Sequence, residues 1–171
     1  MNLRPALYAL AGMLMLPACA TTAAHQDGAA AEMSHPEGAI FDPSLDASAA
    51  VDTALAKAAA EDRLVLLVMG ANWCHDSRAL ASYLMEPELA AVLDEKFEPV
   101  FLNVGLPQTG DGYNLDIAER FGVTPAGTPN LLVLNGEGEL INTPENAVSW
   151  RNSASRSSAE VLETLEDWSA D

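Results

Sequence analysis

Leu64-Val65-Leu66-Leu67-Val68-Met69-Gly70-Ala71-Asn72-Trp73-Cys74-His75-Asp76-Ser77 is the stretch on which the reading of this chain turns. Its first half is an unbroken apolar run between Arg63 and Gly70, short enough and continuous enough to be a strand buried on both faces. Its second half opens a helix, because Leu80, Ala81 and Leu84 fall on one stripe between Cys74 and Met85. Cys74 therefore stands where a buried strand ends and a helix begins. There it faces unpaired backbone N–H groups and the positive end of the helix dipole, both of which favour thiolate over thiol. A protonated His75 acts in the same direction and Asp76 against it. Ser77 lies one helical turn on, where its hydroxyl can reach the Cys74 sulfur, but it cannot act as a second thiol.

Outward from this stretch, Val51, Ala54, Leu55, Ala58 and Ala59 recur at helical spacing in 47–62, with Asp46 or Ser48 as the cap. Glu86-Pro87 breaks the helix that begins at Cys74, and 88–96 resumes as another. Phe97 to Val104 reads as the next strand, with Pro99 near its start, where a missing donor is tolerated. Asn114 is the expected cap of a helix running to Arg120 and ending at Gly122. Residues 130–134 and 139–142, joined by Asn135-Gly136-Glu137-Gly138, are predicted to form a hairpin, and 157–168 a closing helix. Helices alternating with strands and followed by a hairpin require an α/β fold, a mixed central sheet with helices on both faces.

The Trp73-Cys74-His75-Asp76-Ser77 turn after a buried strand, with Gly127-Thr128-Pro129 before another strand and its Gly-turn hairpin, resembles the thioredoxin superfamily over about residues 47–168. That family's motif is Trp-Cys-x-x-Cys. The resemblance implies a thioredoxin-like domain over 45–171, with Cys74 as nucleophile, Pro129 as a cis-proline beside the sulfur, and the backbone of Thr128 pairing with an extended substrate. Cys74, Ser77, His75 and Trp73 form the candidate catalytic set, and Thr128 and Pro129 the candidate substrate-binding pair. Three departures stand out. Ser77 occupies the place of the resolving Cys; Val68 falls where thioredoxins often carry a buried Asp; and 122–129, with Pro125, is slightly longer than usual. One thiol restricts the chemistry to monothiol exchange: isomerisation, deglutathionylation or reversible capture, with an outside thiol releasing each mixed disulfide. Two other readings stay open. In one, Cys74 is an inert buried thiol in a redox-inactive module whose groove near Pro129 holds a peptide or envelope partner. In the other, Cys74 and His75 carry a metal, with too few ligands to hold it well.

The N-terminus points to export. Arg4, the apolar run Ala6–Leu16 and small residues around Cys19 make a secretory signal, too short and too interrupted by Gly12 and Pro17 to span a membrane permanently. Leu16-Pro17-Ala18-Cys19 resembles the lipobox of bacterial lipoproteins. It implies a signal peptide over 1–18, acylation of Cys19, and anchoring in the cell envelope facing the periplasm. The alternative is cleavage after Ala18 or Ala20 with Cys19 a bystander. Residues 19–44, rich in Ala, Thr, Gly, Ser and Pro, read as a flexible tether in which His25 and His35 are solvated.

Composition excludes much else. Against 25 Asp and Glu there are 8 Lys and Arg, a net charge of −17 in 171 residues that repels nucleic acid and leaves a lipid anchor as the expected link to a membrane. Two Cys and three His make neither a disulfide scaffold nor a zinc cage, so no metal and no cofactor is expected. No phosphate loop or Gly-x-Ser-x-Gly elbow occurs. The partners implied are disulfide-containing or thiol proteins, or a low-molecular-weight thiol.

Overall fold

The computed structural model describes residues 40–170. The expected signal peptide, Cys19 and the expected tether up to residue 39 lie outside the described residues. Helix α1 (Ala47–Glu61) leads into strand β1 (Leu64–Gly70), which is followed by α2 (His75–Leu84), α3 (Pro87–Lys96) and β2 (Phe97–Asn103). After a small excursion come α4 (Leu115–Arg120), β5 (Asn130–Leu134), α5 (Pro144–Ala147) and α6 (Ser158–Trp168). The excursion is a two-stranded ribbon, β3 (Gly105–Leu106) and β4 (Asp111–Gly112), which the sequence pattern does not announce.

Strand β1 is the middle of a three-stranded sheet. It pairs in parallel with β2, Leu64 opposite Phe97 through Gly70 opposite Asn103, and antiparallel with β5, Val65 opposite Leu134 through Met69 opposite Asn130. Alternation along β1 explains why its apolar run has no polar face. Leu66 and Val68 enter the core under α2, α3 and α6, while Val65, Leu67 and Met69 enter the core under α1 and α4. β5 divides in the same way, Leu131 and Val133 to one core and Leu132 and Leu134 to the other.

Local chemistry sets the element ends. The Asp46 side chain accepts from Ala49 N at 3.0 Å and caps α1, and α6 carries a full capping box between Ser157 and Glu160. Pro87 takes the first position of α3, where its missing N–H is no loss. Asn114 precedes α4 as expected but does not cap it: its φ is 57° and its Nδ2 donates instead to the Asn103 carbonyl at 2.9 Å.

Two expectations need correction. The hairpin after β5 does not develop a second strand. Leu140 makes a single bridge to Leu134, Ile141 N donates to Val133 O at 2.8 Å, and then the Asn142 amide takes over, its Oδ1 accepting from Val133 N and its Nδ2 donating to Leu131 O, both at 3.0 Å. A side-chain amide thus completes the ladder, and the backbone is free to turn into α5 at Pro144. The expected tether also ends before residue 44, because Phe41 is fully buried and belongs to the core. Its ring packs edge-on to Phe101 at 5.9 Å, and a Cβ on Gly70 would lie 2.4 Å from its Cζ. Glycine at 70 is what lets this ring reach the sheet.

Candidate active site

The turn between β1 and α2 is held on three sides. Asn72 grips the Phe41 backbone with both ends of its amide, Oδ1 accepting from Phe41 N at 3.1 Å and Nδ2 donating to Phe41 O at 2.9 Å. Asn103, at the end of β2, donates to the same carbonyl at 2.9 Å. The Trp73 indole, about half exposed, donates from Nε1 to Gly105 O at 2.9 Å, tying the turn to the β3–β4 ribbon. On the far side the Asp76 carboxylate accepts from Ala154 N at 2.9 Å.

Cys74 is the N-cap residue of α2, with extended backbone and its carbonyl accepting from Arg78 N at 3.1 Å. It is a free cysteine with only 7% of its surface exposed. The Cys74 side chain makes no capping bond, so the first amides of a ten-residue helix stay directed at the sulfur's end of the turn. Its thiol instead donates to the Thr128 carbonyl, with Sγ and O 3.6 Å apart.

Thr128 and Pro129 come from the loop before β5, and the peptide bond between them is cis, as the resemblance implies. Asn130 closes this loop by donating from Nδ2 to Gly127 O at 2.8 Å. Ser77, fully buried, does not bond the Cys74 sulfur. Its hydroxyl lies 3.1 Å from Thr128 Oγ1, which itself donates to Met69 O at 3.3 Å. With the threonine proton committed to Met69, Ser77 is the donor in that pair, and its single proton is unavailable to the sulfur. The fold thus brings Cys74, Ser77, Thr128 and Pro129 together and leaves Trp73 and the exposed His75 at the rim. Val68 is buried in register between Phe101 and Leu131, so no carboxylate replaces the missing acid at that place.

Asn72 and Asn103 are the site-building residues that sequence reading passed over. Their only signal was an amide inside an otherwise apolar turn and at a strand end, which is also what a solvated loop residue looks like. Among the described residues no group of three or more His, Cys, Asp or Glu gathers to hold a metal, and no helix is long and apolar enough to cross a membrane.

A family model described as thioredoxin-like matches residues 46–136. The chain belongs to this thioredoxin-like family. It is similar to the disulphide isomerase of Xylella fastidiosa Temecula1, with 29% identity, 74% of this chain and 94% of that one covered, and a TM-score of 0.66. It also resembles a thioredoxin from Thermus thermophilus at 24% identity, with 67% of this chain and 80% of that one covered and a TM-score of 0.46. The reduced C-terminal domain of Neisseria meningitidis DsbD matches at 21% identity, with 70% and 95% covered and a TM-score of 0.45. No curated protein matches the chain.

Proposed function

We propose that this protein carries out thiol-disulfide exchange by a monothiol mechanism through Cys74. The observation that carries the reading is the placement of one thiol at the N-cap of α2 against the Thr128 carbonyl beside cis Pro129, with a serine committed elsewhere in the resolving position. The Xylella disulphide isomerase, similar over most of its length, supports the same class of chemistry.

Cys74 thiolate attacks a disulfide sulfur, a new S–S bond joins it to the substrate, and the other substrate sulfur leaves as a thiolate. The adduct persists until a thiol from outside, or another Cys of the substrate, attacks the Cys74 sulfur or its partner. Isomerisation, deglutathionylation and reversible capture all follow this sequence. The setting that fits it is the bacterial envelope, reached by the signal at 1–18 and held by acylated Cys19.

A disulfide-containing peptide tests the reading. The parent chain should form a covalent adduct and Cys74→Ala should form none. The low exposure of the thiol favours one competitor, a redox-inactive peptide-binding module. That competitor predicts equal noncovalent affinity in both chains and no adduct in either.

A further inference from the structure

The chain is strongly acidic, yet its few cations are distributed unevenly between neutralised and unpartnered positions. Lys57 and Arg63 pair with Glu98 at 2.7 and 3.3 Å, Lys96 with Glu95 at 3.6 Å, and Arg120 with Asp52 at 2.7 Å. Arg156 lies over the Trp150 ring, 4.2 Å from its centroid, and donates to Ser149 O. Among the described residues this leaves Arg78 and Arg151 with no carboxylate and no side-chain hydrogen bond.

Both belong to the surroundings of Cys74. Arg78 follows one turn later on α2, its backbone N–H bonded to the Cys74 carbonyl. Helical side chains lean toward the N-terminus, which carries this one back over the first turn, and its Nε is buried without a partner. Arg151 approaches from the opposite loop. A Cβ on Gly127 would lie 3.0 Å from its Nε and 3.5 Å from its Cζ, and Gly127 directly precedes the Thr128 whose carbonyl receives the thiol. Two guanidinium groups without a carboxylate partner therefore belong to the helix turn and the loop that hold Cys74 and Thr128, in a molecule with a net charge of −17.

We propose that Arg78 and Arg151 bind the carboxylates of a low-molecular-weight thiol, so that the species exchanged at Cys74 is the mixed disulfide of an acidic thiol of the glutathione kind. This rests on the thiol-exchange reading above. Guanidinium groups suit carboxylates through paired, planar hydrogen bonds. A small ligand is favoured over an acidic protein because a broad interface meets the net charge of −17. A small anion beside Cys74 responds mainly to charges within the Debye length of about 8 Å.

The steps balance. Cys74 thiolate attacks the glutathione sulfur of a glutathionylated protein, the Cys74–glutathione disulfide forms, and the protein leaves as a thiolate. A second glutathione thiolate then attacks that disulfide, releasing oxidised glutathione and restoring the Cys74 thiolate. In sum the protein thiol is regained, one free glutathione is oxidised, and the two glutathionyl groups leave together as one disulfide.

Rates of adduct formation on the full chain, followed by intact mass at low salt, test the proposal with three small disulfides: oxidised glutathione as the anion, hydroxyethyl disulfide as the neutral probe and cystamine as the cation. The ratio of anionic to neutral rate should fall roughly threefold for Arg78→Gln and again for Arg151→Gln, as for exposed ion pairs. Arg78→Lys, which keeps the charge without the planar fork, should fall between the parent and Arg78→Gln, and added salt should reduce the ratio in the parent but not in the double variant. An unchanged ratio in the double variant, or a parent that prefers cystamine in proportion to its net charge, would overturn the proposal while leaving the exchange reading intact. Adducts with an acidic disulfide-bearing protein faster than with oxidised glutathione would also overturn it, in favour of a macromolecular substrate. If no adduct forms with any of the three, the exchange reading fails and this proposal with it.

Discussion

Gly70 and Phe41 should be energetically coupled, and the size of the coupling follows from their contact. A methyl group at 70 would lie 2.4 Å from Phe41 Cζ and 2.6 Å from Cε1, inside any real carbon–carbon contact. The ring is fully buried and cannot swing aside, so Gly70→Ala should cost about 1 to 3 kcal/mol of overpacking. Phe41→Ala removes the ring and should cost about 3 to 5 kcal/mol by itself. In the double variant the methyl enters the space the ring has vacated, and its penalty should vanish. The predicted interaction energy is therefore about 1 to 3 kcal/mol, opposite in sign to the single costs. Equilibrium unfolding in urea of the four chains measures it, with Phe41→Leu as the milder partner if Phe41→Ala leaves too little folded protein. Additivity within about 0.5 kcal/mol would refute the contact and, with it, the inclusion of residue 41 in the domain.

Ser77→Cys should add disulfide-reductase turnover, since it restores a thiol one turn from Cys74; insulin reduction measures it, and Val68 in place of an acid should keep the gain modest. Asn142→Leu should destabilise the fold by roughly 2 to 5 kcal/mol, because it strips the bonds from Val133 N and Leu131 O, both inside the protein; thermal or urea unfolding measures it. The Ser157 backbone N–H, followed by the Ser157 hydroxyl, holds the Glu160 carboxyl below its usual value of 4.5. A depressed folded-state pKa gives stability above the unfolded value and loses it as pH falls through the folded one. Glu160→Gln should accordingly lose less melting temperature than the parent on going from neutral pH to about pH 3, with the capping bonds to Ser157 as the cause.

The parts of the fold that were legible in the sequence are those in which one local pattern fixes one outcome. The run Leu64–Met69 has no polar residue to place in solvent, so burial on both faces was the only solution, and β1 is the central strand. Asp46, one of the two caps expected for α1, and Glu86-Pro87, expected to part α2 from α3, carry local signals that no distant contact overrides. The illegible parts depend on partners far away in the chain. Phe41 sits in a stretch of tether-like composition, and only its contacts with Gly70, Asn72 and Asn103 make it core. The return arm of the hairpin had sound turn chemistry and its backbone pairs with β5 through Leu140 and Ile141, but beyond them the Asn142 side chain takes the place of the backbone. At the site, the spacing placed Ser77 within reach of Cys74, while the cis loop offered Ser77 a better partner in Thr128. Spacing along a helix says which residues can meet, and a loop arriving from elsewhere decides which ones do.

The central claim is that Cys74 works as the one thiol of the folded part, and the fate of its mixed disulfide tests this most directly. The adduct with a cysteine peptide that has no second thiol would be formed, freed of excess reagent, and followed by non-reducing mass spectrometry while glutathione is added at increasing concentration. The account predicts an adduct on the Cys74 peptide that persists alone and disappears at a rate proportional to the added thiol. Release at a rate independent of added thiol, or no adduct on Cys74 at all, would contradict it.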